Sequence, residues 1–253
     1  MRLALIVEYD GTDYSGFQYQ RDSPSIQEQL EKAITALTGE AVRVGAAGRT
    51  DAGVHALGQV VAFDTGSTYS PATVLRAMNH RLPDDIAVKA AYQVPGHFDP
   101  RRDALSRLYR YTVATGTVRS PLKRITTTLV RERLDVKRMK QAARLFEGVH
   151  DFARFAGTLE DPGASTVREV LGARVNRVDD TIVFDLEGTA FLPHQVRRMA
   201  GALVDVGRGA VSTEELKQQI DGNEIGAVSR SLPPQGLCLV EVKYADFPPL
   251  TGD

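Results

Sequence analysis

The hydrophobic pattern of the first 94 residues predicts strands and helices in the order β-α-β-β-α-β. Apolar residues that hardly alternate, or β-branched and small residues beside glycine, indicate strands. Apolar residues at helical spacing indicate two helices, one capped by Ser25 and stopped at Gly39, the other opened by Ser70 and Pro71. The predicted strands cover residues 3–9, 42–47, 59–63 and 86–94.

The pattern from residue 105 onward repeats this order, with one extra short helix. A strand over residues 105–113 alternates strictly, with Arg107, Tyr109 and Tyr111 on one face. Asp135 caps a helix that Gly148 closes, and a loop is expected after it. The other expected elements are a loop over 150–164, strands over 126–130, 169–176, 182–186 and 237–244, a helix over 194–206, and the short helix that a Ser212 and Glu215 capping box opens.

Residues 99–102 look like a boundary between the two stretches. The sequence therefore predicts an α+β protein of two ferredoxin-like (RRM-like) βαββαβ halves, residues 1–100 and 101–253. We expect their antiparallel sheets to lie side by side with a central cleft.

The composition matches an ordinary globular protein, with 253 residues of which 42% are hydrophobic and 25% charged. No apolar run approaches the roughly 18 residues of a membrane span, so no membrane partner is expected. The chain starts directly with a strand rather than a signal-peptide pattern. Cys238 is the only cysteine, which excludes an intrachain disulfide and a cysteine-based zinc site. The cytoplasm is the expected location.

Positive charge is concentrated in the middle of a chain whose net charge is only −1. Residues 97–144, called the basic block below, hold 13 lysines and arginines against four acidic residues. Arginine matches phosphate geometry and stacks on bases, so this asymmetry favours a nucleic-acid partner. The alternative is a solvated surface that forms ion pairs with the acidic flanks. On the first interpretation, we expect the arginines at the start of the block to bind the substrate: Arg101, Arg102 and Arg107.

The sequence GRTDAGVHA, residues 48–56, lies between two predicted strands and carries Asp51 near its centre. Nine residues exceed the two to five that a hairpin commonly needs, and Gly48 and Gly53 permit unusual backbone conformations. One interpretation is a rigid loop that presents Asp51, with Arg49 beside it. The other is a surface hairpin with a solvated aspartate.

The residues for other common chemistries are missing. The five histidines lack metal-ligand spacing, and no phosphate-binding loop, dinucleotide-binding glycine motif or Gly-x-Ser-x-Gly motif occurs. What is left is carboxylate chemistry at Asp51 with arginine support. A nucleophilic carboxylate must stay ionised, and a neighbouring guanidinium such as that of Arg49 favours this.

The loop over residues 48–56 resembles the signature loop of the tRNA pseudouridine synthase A (TruA) family. Other segments resemble that family in the same order, over nearly the whole chain. They are residues 8–12, 16–18, 25–28, 107–111, 150–152, Arg168, 191–201 and 236–239.

The resemblance implies an isomerase that converts uridine to pseudouridine in the tRNA anticodon stem-loop, just 3′ of the anticodon. It implies no cofactor, no metal and a homodimer that binds tRNA across both subunits. Asp51 matches the nucleophile, which would attack the sugar C1′ or the uracil C6. Tyr109 matches the tyrosine that stacks on the target base, Arg197 the arginine that pairs with the carboxylate, and Arg49 would bind the flipped nucleotide.

Three details stay open at the level of sequence. Gln195 stands where the family usually has methionine, so either Arg197 or Arg198 would face the carboxylate, with Arg197 favoured by its spacing from Phe191. Tyr111 is expected to pack in the core rather than contact RNA. The aromatic residues of segment 14–20 would either contact bases or anchor that segment to the core.

Two other classes of function compete with the enzyme. A non-catalytic RNA-binding protein would place no demand on Asp51. A homo-oligomer that pairs its acidic and basic surfaces would bind no RNA.

Overall fold

A computed structural model describes residues 1–161, 163–222, 226, 228 and 231–248. The chain forms two compact units: the first unit comprises Met1–Ser106 and Leu239–Asp253, and the second unit comprises Arg107–Cys238. Each unit contains a mainly antiparallel sheet together with helices. The predicted α+β class is confirmed.

The first unit contains strands and helices in the predicted order, followed by the end of the last strand of the chain. A central strand pairs with a neighbour on each side, both antiparallel. The elements are β1 (Arg2–Tyr9), α1 (Ile26–Thr38), β2 (Gly45–Ala46), β3 (His55–Asp64), α2 (Pro71–Arg81) and β4 (Ile86–Val94), and the sheet order is β4-β1-β3, with β2 also paired to β3.

The predicted helix caps of the first unit are confirmed. The Ser25 hydroxyl accepts a hydrogen bond from the Glu28 amide, and Ser70 caps α2 in the same way. Gly39 ends α1 with φ of 75°, a left-handed conformation that a side chain disfavours. The buried faces of α1 and α2 contact each other, and α2 packs along β4.

The prediction for the two strands around residues 48–56 was wrong at its edges. Only Gly45–Ala46 pairs as β2, and β3 already begins at His55. The late start of β2 has its reason in α1, because Glu31 accepts the Val44 amide hydrogen and Gln27 donates to the Val44 carbonyl. These side chains take the backbone groups that a longer β2 would have offered to β3.

The second unit contains a four-stranded antiparallel arrangement, with one short parallel strand at its side. Its helix α3 packs against α4, α5 and β8. The elements are β5 (Ser106–Thr115), β6 (Thr128–Val130), α3 (Val136–Ala143), β7 (Gly148–Asp151), β8 (Val167–Val178), β9 (Thr181–Gly188), α4 (Gln195–Gly207), α5 (Thr213–Ile220) and β10 (Leu237–Lys243), and the order is β5-β9-β8-β7.

The prediction of a loop over 150–164 was wrong in part. Gly148–Asp151 forms β7, which pairs with β8, and a short 3-10 helix follows at Ala153–Phe155. The four residues of β7 show no alternation of apolar residues, so only their partner strand defines them. Gly148 opens this strand instead of closing the preceding helix.

In the part of the chain that the structure describes, no helix combines the length and the apolar character needed to cross a bilayer.

Tyr111 packs in the core of the second unit, as predicted. Its side chain is 0% exposed, and burial raises the pKa of its hydroxyl well above the usual value. The hydroxyl donates a 2.8 Å hydrogen bond to the Pro233 carbonyl and shares another with the Thr128 hydroxyl. It therefore connects β5 to β6 and to the segment before β10.

Removing this hydroxyl should destabilise the protein. In Tyr111→Phe, the partly buried Pro233 carbonyl and the buried Thr128 hydroxyl lose their partner, which should lower the free energy of unfolding by about 1–2 kcal/mol. Equilibrium urea unfolding measures this. Tyr69→Phe is the matched control, because Tyr69 is 43% exposed. Equal stability of the two variants would contradict the assigned role.

Candidate active site

The segment that carries Asp51 is a tight turn rather than an open loop. The Val54 amide donates to the Asp51 carbonyl, which closes a four-residue turn. Gly53 occupies the third position with φ of 75°, as a type II turn requires. Asp51 is half-buried at the start of this turn, and Arg49 is exposed two residues before it. We call residues 48–54 the Asp51 loop.

Two glycines let a neighbouring segment pack directly against the Asp51 loop. A Cβ on Gly11 would overlap the carbonyl of Val54. A Cβ on Gly16 would lie 2.8 Å from the Thr50 oxygen, and Gly16 has φ of 103°. Neither position has room for a side chain, so residues 11–16 hold the Asp51 loop from one side.

Hydrogen bonds fix the same loop at several points. The Phe17 amide donates to the Thr50 carbonyl at 3.0 Å. The Tyr9 and Thr50 hydroxyls share a buried bond of 2.8 Å, and the Gln59 amide group donates to the Gly48 carbonyl at 2.7 Å. The Asp51 carboxylate therefore stands on a backbone that is held from β1, β3 and the segment before α1.

A polar cluster lies next to this support. His55 Nδ1 accepts from the Gly11 amide and lies 3.1 Å from an Asp10 oxygen. Burial by itself raises the pKa of the Asp10 carboxyl. Hydrogen bonds from Thr12 and the nearby His55 outweigh this effect, so the pKa lies below its usual value. Tyr14 donates to Asp85 at 2.7 Å. Burial, followed by this carboxylate, raises the pKa of Tyr14 far above its usual value, so its hydroxyl stays a donor.

The second unit holds the other predicted site residues. Tyr109 is 8% exposed and packs edge-on against Phe191, with ring centroids 5.5 Å apart. Arg107 lies on the same face of β5, as the alternation predicted, and its Nη1 donates to the Thr189 carbonyl at 2.7 Å. This face of β5 therefore carries two buried groups, an aromatic ring and a guanidinium, since Arg107 is also only 8% exposed.

Arg197 and Arg198 at the start of α4 have different surroundings. Arg197 Nε donates to the Leu232 carbonyl at 2.7 Å. Arg198 Nη1 donates to the Ala156 carbonyl at 2.7 Å, which ties α4 to the 3-10 helix before it in the chain. Burial, together with the charge of Arg197, lowers the pKa of Arg198.

The basic block contains exposed arginines as well as cations that bind carboxylates of the acidic flank. Arg102 is almost fully exposed beside Asp99, and Arg101 is exposed as well. Arg110 instead binds Asp185, and Lys123 binds Asp180, both in the acidic flank. Some cations of the block thus form ion pairs with the acidic flank, while exposed arginines such as Arg102 have the accessibility that binding to a nucleic acid requires.

The aromatic segment 14–20 contains both buried and exposed rings. Tyr14 and Phe17 are buried and anchor the segment to the core. Tyr19 is 42% exposed, and the Arg43 guanidinium lies over its ring at 5.3 Å. The sequence pattern did not single out Arg43, because it lies in a predicted strand and only the fold brings it to Tyr19.

Within the described residues, no cluster of three or more histidine, cysteine, aspartate or glutamate side chains could hold a metal ion. The structure thus places Asp51, Arg49, Arg101 and Arg102 in the first unit, and Tyr109, Arg107 and Arg197 in the second. The sequence pattern did not single out the supporting glycines, Gly11 and Gly16, because their role depends on the segment that packs against them.

Comparisons with known proteins identify the family of this chain. The family model described as tRNA pseudouridine synthase matches residues 5–101 and 142–245. The tRNA pseudouridine synthase A of Geotalea uraniireducens (strain Rf4) is 41% identical over 243 residues, which cover 96% of this chain and 99% of that protein. The protein of the same description from Myxococcus xanthus is 43% identical, covering 98% of this chain and 94% of its own.

Among solved structures, a chain in the crystal structure of a Cbf5-Nop10-Gar1 complex is 14% identical with a TM-score of 0.34. It covers 80% of this chain and 45% of that one, a similarity too low to define the fold. The sequence matches, by contrast, extend over almost the whole chain on both sides of the comparison. The chain therefore belongs to the tRNA pseudouridine synthase family, and the enzymes of this family are isomerases.

Proposed function

We propose that this enzyme isomerises uridine to pseudouridine in the anticodon stem-loop of tRNA, just 3′ of the anticodon, with Asp51 as the nucleophile. The observation that carries the proposal is the anchoring of the Asp51 loop. A carboxylate on a backbone held by Gly11, Gly16 and Thr50 needs little reorganisation to reach the reacting atom. The family membership supplies the reaction and the tRNA substrate.

The proposed chemistry balances without water, oxidant or reductant. An Asp51 oxygen attacks C1′ of the flipped uridine, the N1–C1′ bond breaks, and its electron pair stays on the uracil. The uracil turns, C5 bonds to C1′, and the ester bond to Asp51 breaks with its pair returning to the carboxylate. The C5 proton then leaves and N1 gains a proton.

We assign the supporting roles to residues of both units. Tyr109 stacks on the uracil and takes the C5 proton, and its contact with Phe191 fixes the ring plane. Arg197 pairs with the Asp51 carboxylate. Arg49 binds the flipped nucleotide. The phosphates of the RNA contact arginines of the basic block: Arg101, Arg102 and Arg107.

We choose Arg197 over Arg198 because of its spacing from Phe191. Arg197 and Leu232 are tied in both directions, since the Leu232 amide donates to the Arg197 carbonyl and Arg197 Nε to the Leu232 carbonyl. Arg198 instead serves a backbone carbonyl at Ala156. This leaves Arg198 a structural role.

The remaining proposals concern architecture. We propose that both halves are ferredoxin-like, since the first unit has the order β-α-β-β-α-β and the sheet order β4-β1-β3-β2. We further propose a division near residue 100, sheets side by side with a cleft between the halves, a homodimer and a cytoplasmic location. These follow from the family resemblance and the sequence pattern.

The nucleophile is tested by Asp51→Asn. We expect pseudouridine formation in unmodified tRNA transcripts to fall by at least about 10⁴-fold, as for loss of other nucleophiles. The Kd for tRNA should hardly change. Asp84→Asn, which removes an exposed carboxylate of the same unit, should keep full activity. If Asp51→Asn kept full activity, Asp51 would not be the nucleophile and the proposed mechanism would be wrong.

The anchoring is tested by Gly16→Ala against Gly39→Ala. Both glycines have positive φ, so both substitutions should lower the free energy of unfolding by about 1 kcal/mol or more. The new Cβ would meet the Asp51 loop only at Gly16, because no atom lies within 4 Å of a Cβ placed at Gly39. We expect kcat to fall about 100-fold in Gly16→Ala alone. A similar kcat in both variants would contradict the anchoring.

The two arginines are separated by Arg197→Ala and Arg198→Ala. Losing the partner of the catalytic carboxylate should lower kcat about 100-fold or more. Arg198→Ala should chiefly lower the melting temperature. Single-turnover rates and thermal unfolding distinguish the two effects, and the reverse pattern would place Arg198 at the carboxylate.

A further inference from the structure

The exposed ring of Tyr19 lies close in the chain to the contacts that hold the Asp51 loop. Phe17, two residues earlier, donates its amide hydrogen to Thr50, the neighbour of Asp51. Two residues span at most about 7 Å. Tyr19 therefore lies within about one or two nucleotide lengths of Thr50, on the same unit.

The Tyr19 backbone is held in place rather than loose. Its amide donates to the Gln27 side chain at 2.9 Å, and Gln27 in turn donates to Glu31 at 2.8 Å. Arg43 also binds Glu31, at 3.2 Å. These contacts connect the ring to the first turns of α1 and fix its position.

The guanidinium of Arg43 covers one side of the ring. It lies 5.3 Å from the ring centroid, within the range of a cation–π contact. The Arg43 side chain is itself 66% exposed despite its ion pair. A flat ring and a flat cation next to each other are the groups that bind unstacked bases and the adjoining phosphates.

We propose that Tyr19 and Arg43, together the Tyr19 platform, bind a nucleotide that flanks the reacting uridine. Its base stacks on the Tyr19 ring, and its phosphate contacts Arg43. Extrusion of the uridine opens the stack on both sides, so a neighbouring base needs a new stacking surface. The platform supplies that surface and acts on substrate binding, not on the chemical step. This inference rests on the proposed function, because the ligand is the RNA that presents the uridine.

The alternative is that the exposed Tyr19 ring contacts only solvent and binds no nucleotide. The test compares Tyr19→Ala, Tyr19→Phe and Arg43→Ala with wild type, using an unmodified tRNA transcript. Tyr69→Ala is the matched control, with the same exposure in the same unit, and Arg76→Ala controls for the loss of an exposed positive charge.

We expect Tyr19→Ala to raise Kd and KM about tenfold, a typical loss for one stacked base. Tyr19→Phe keeps the ring and should bind like wild type. Arg43→Ala should weaken binding and reduce its salt dependence. The single-turnover rate at saturating tRNA should stay unchanged in all three, as should circular dichroism. Tyr69→Ala and Arg76→Ala should match wild type.

A second measurement identifies the stacked base. Transcripts with an abasic site at one of the nucleotides next to the target uridine are bound to wild type and to Tyr19→Ala. At the stacked position the two losses should not add, because each removes the same contact. Full additivity at every position, or unchanged Kd in Tyr19→Ala, would overturn the platform.

Failure of the platform and failure of the proposed function give different results. If the platform is wrong, wild type still forms pseudouridine and Asp51→Asn does not, while Tyr19→Ala binds normally. If the proposed function is wrong, Asp51→Asn and wild type behave alike in pseudouridine formation.

Discussion

The absence of side chains at Gly11 and Gly16 is the constraint on which the rest of the site depends. Because no Cβ stands between them, the segment after β1 lies directly against the backbone of the Asp51 loop. That contact lets the Phe17 amide reach Thr50 and the Gly53 amide reach the Tyr14 carbonyl. A larger residue at either glycine would separate the two segments, and the carboxylate would stand on a mobile turn.

Hydrogen bonds from buried polar side chains complete this support. The Tyr9 hydroxyl meets Thr50, and Gln59 reaches Gly48 from β3. Since an unpaired buried polar group costs about 1–3 kcal/mol, these pairings resist any shift of the loop. The same segment then leads to Tyr19, whose ring is exposed. One short stretch thus anchors the Asp51 loop through its buried aromatics and, in our proposal, offers its exposed ring to the RNA.

The two units contribute in different ways to the proposed reaction. The first unit holds Asp51, the proposed nucleophile, on an anchored turn. The second unit presents Tyr109 on β5 and Arg197 on α4, each fixed by its own neighbours, Phe191 and Leu232.

The sequence by itself determined most helices and strands, because capping residues and apolar spacing act over a few neighbouring residues. Ser25, Gly39, Ser70 and Asp135 stand where the caps form. It also marked Asp51, since no other residue set offered a nucleophile. Only the tertiary structure decided the length of β2, the existence of β7 and the different environments of Tyr14, Phe17 and Tyr19. These depend on partners distant in the chain, such as Glu31 for Val44 and Arg43 for Tyr19, and local patterns carry no information about such partners.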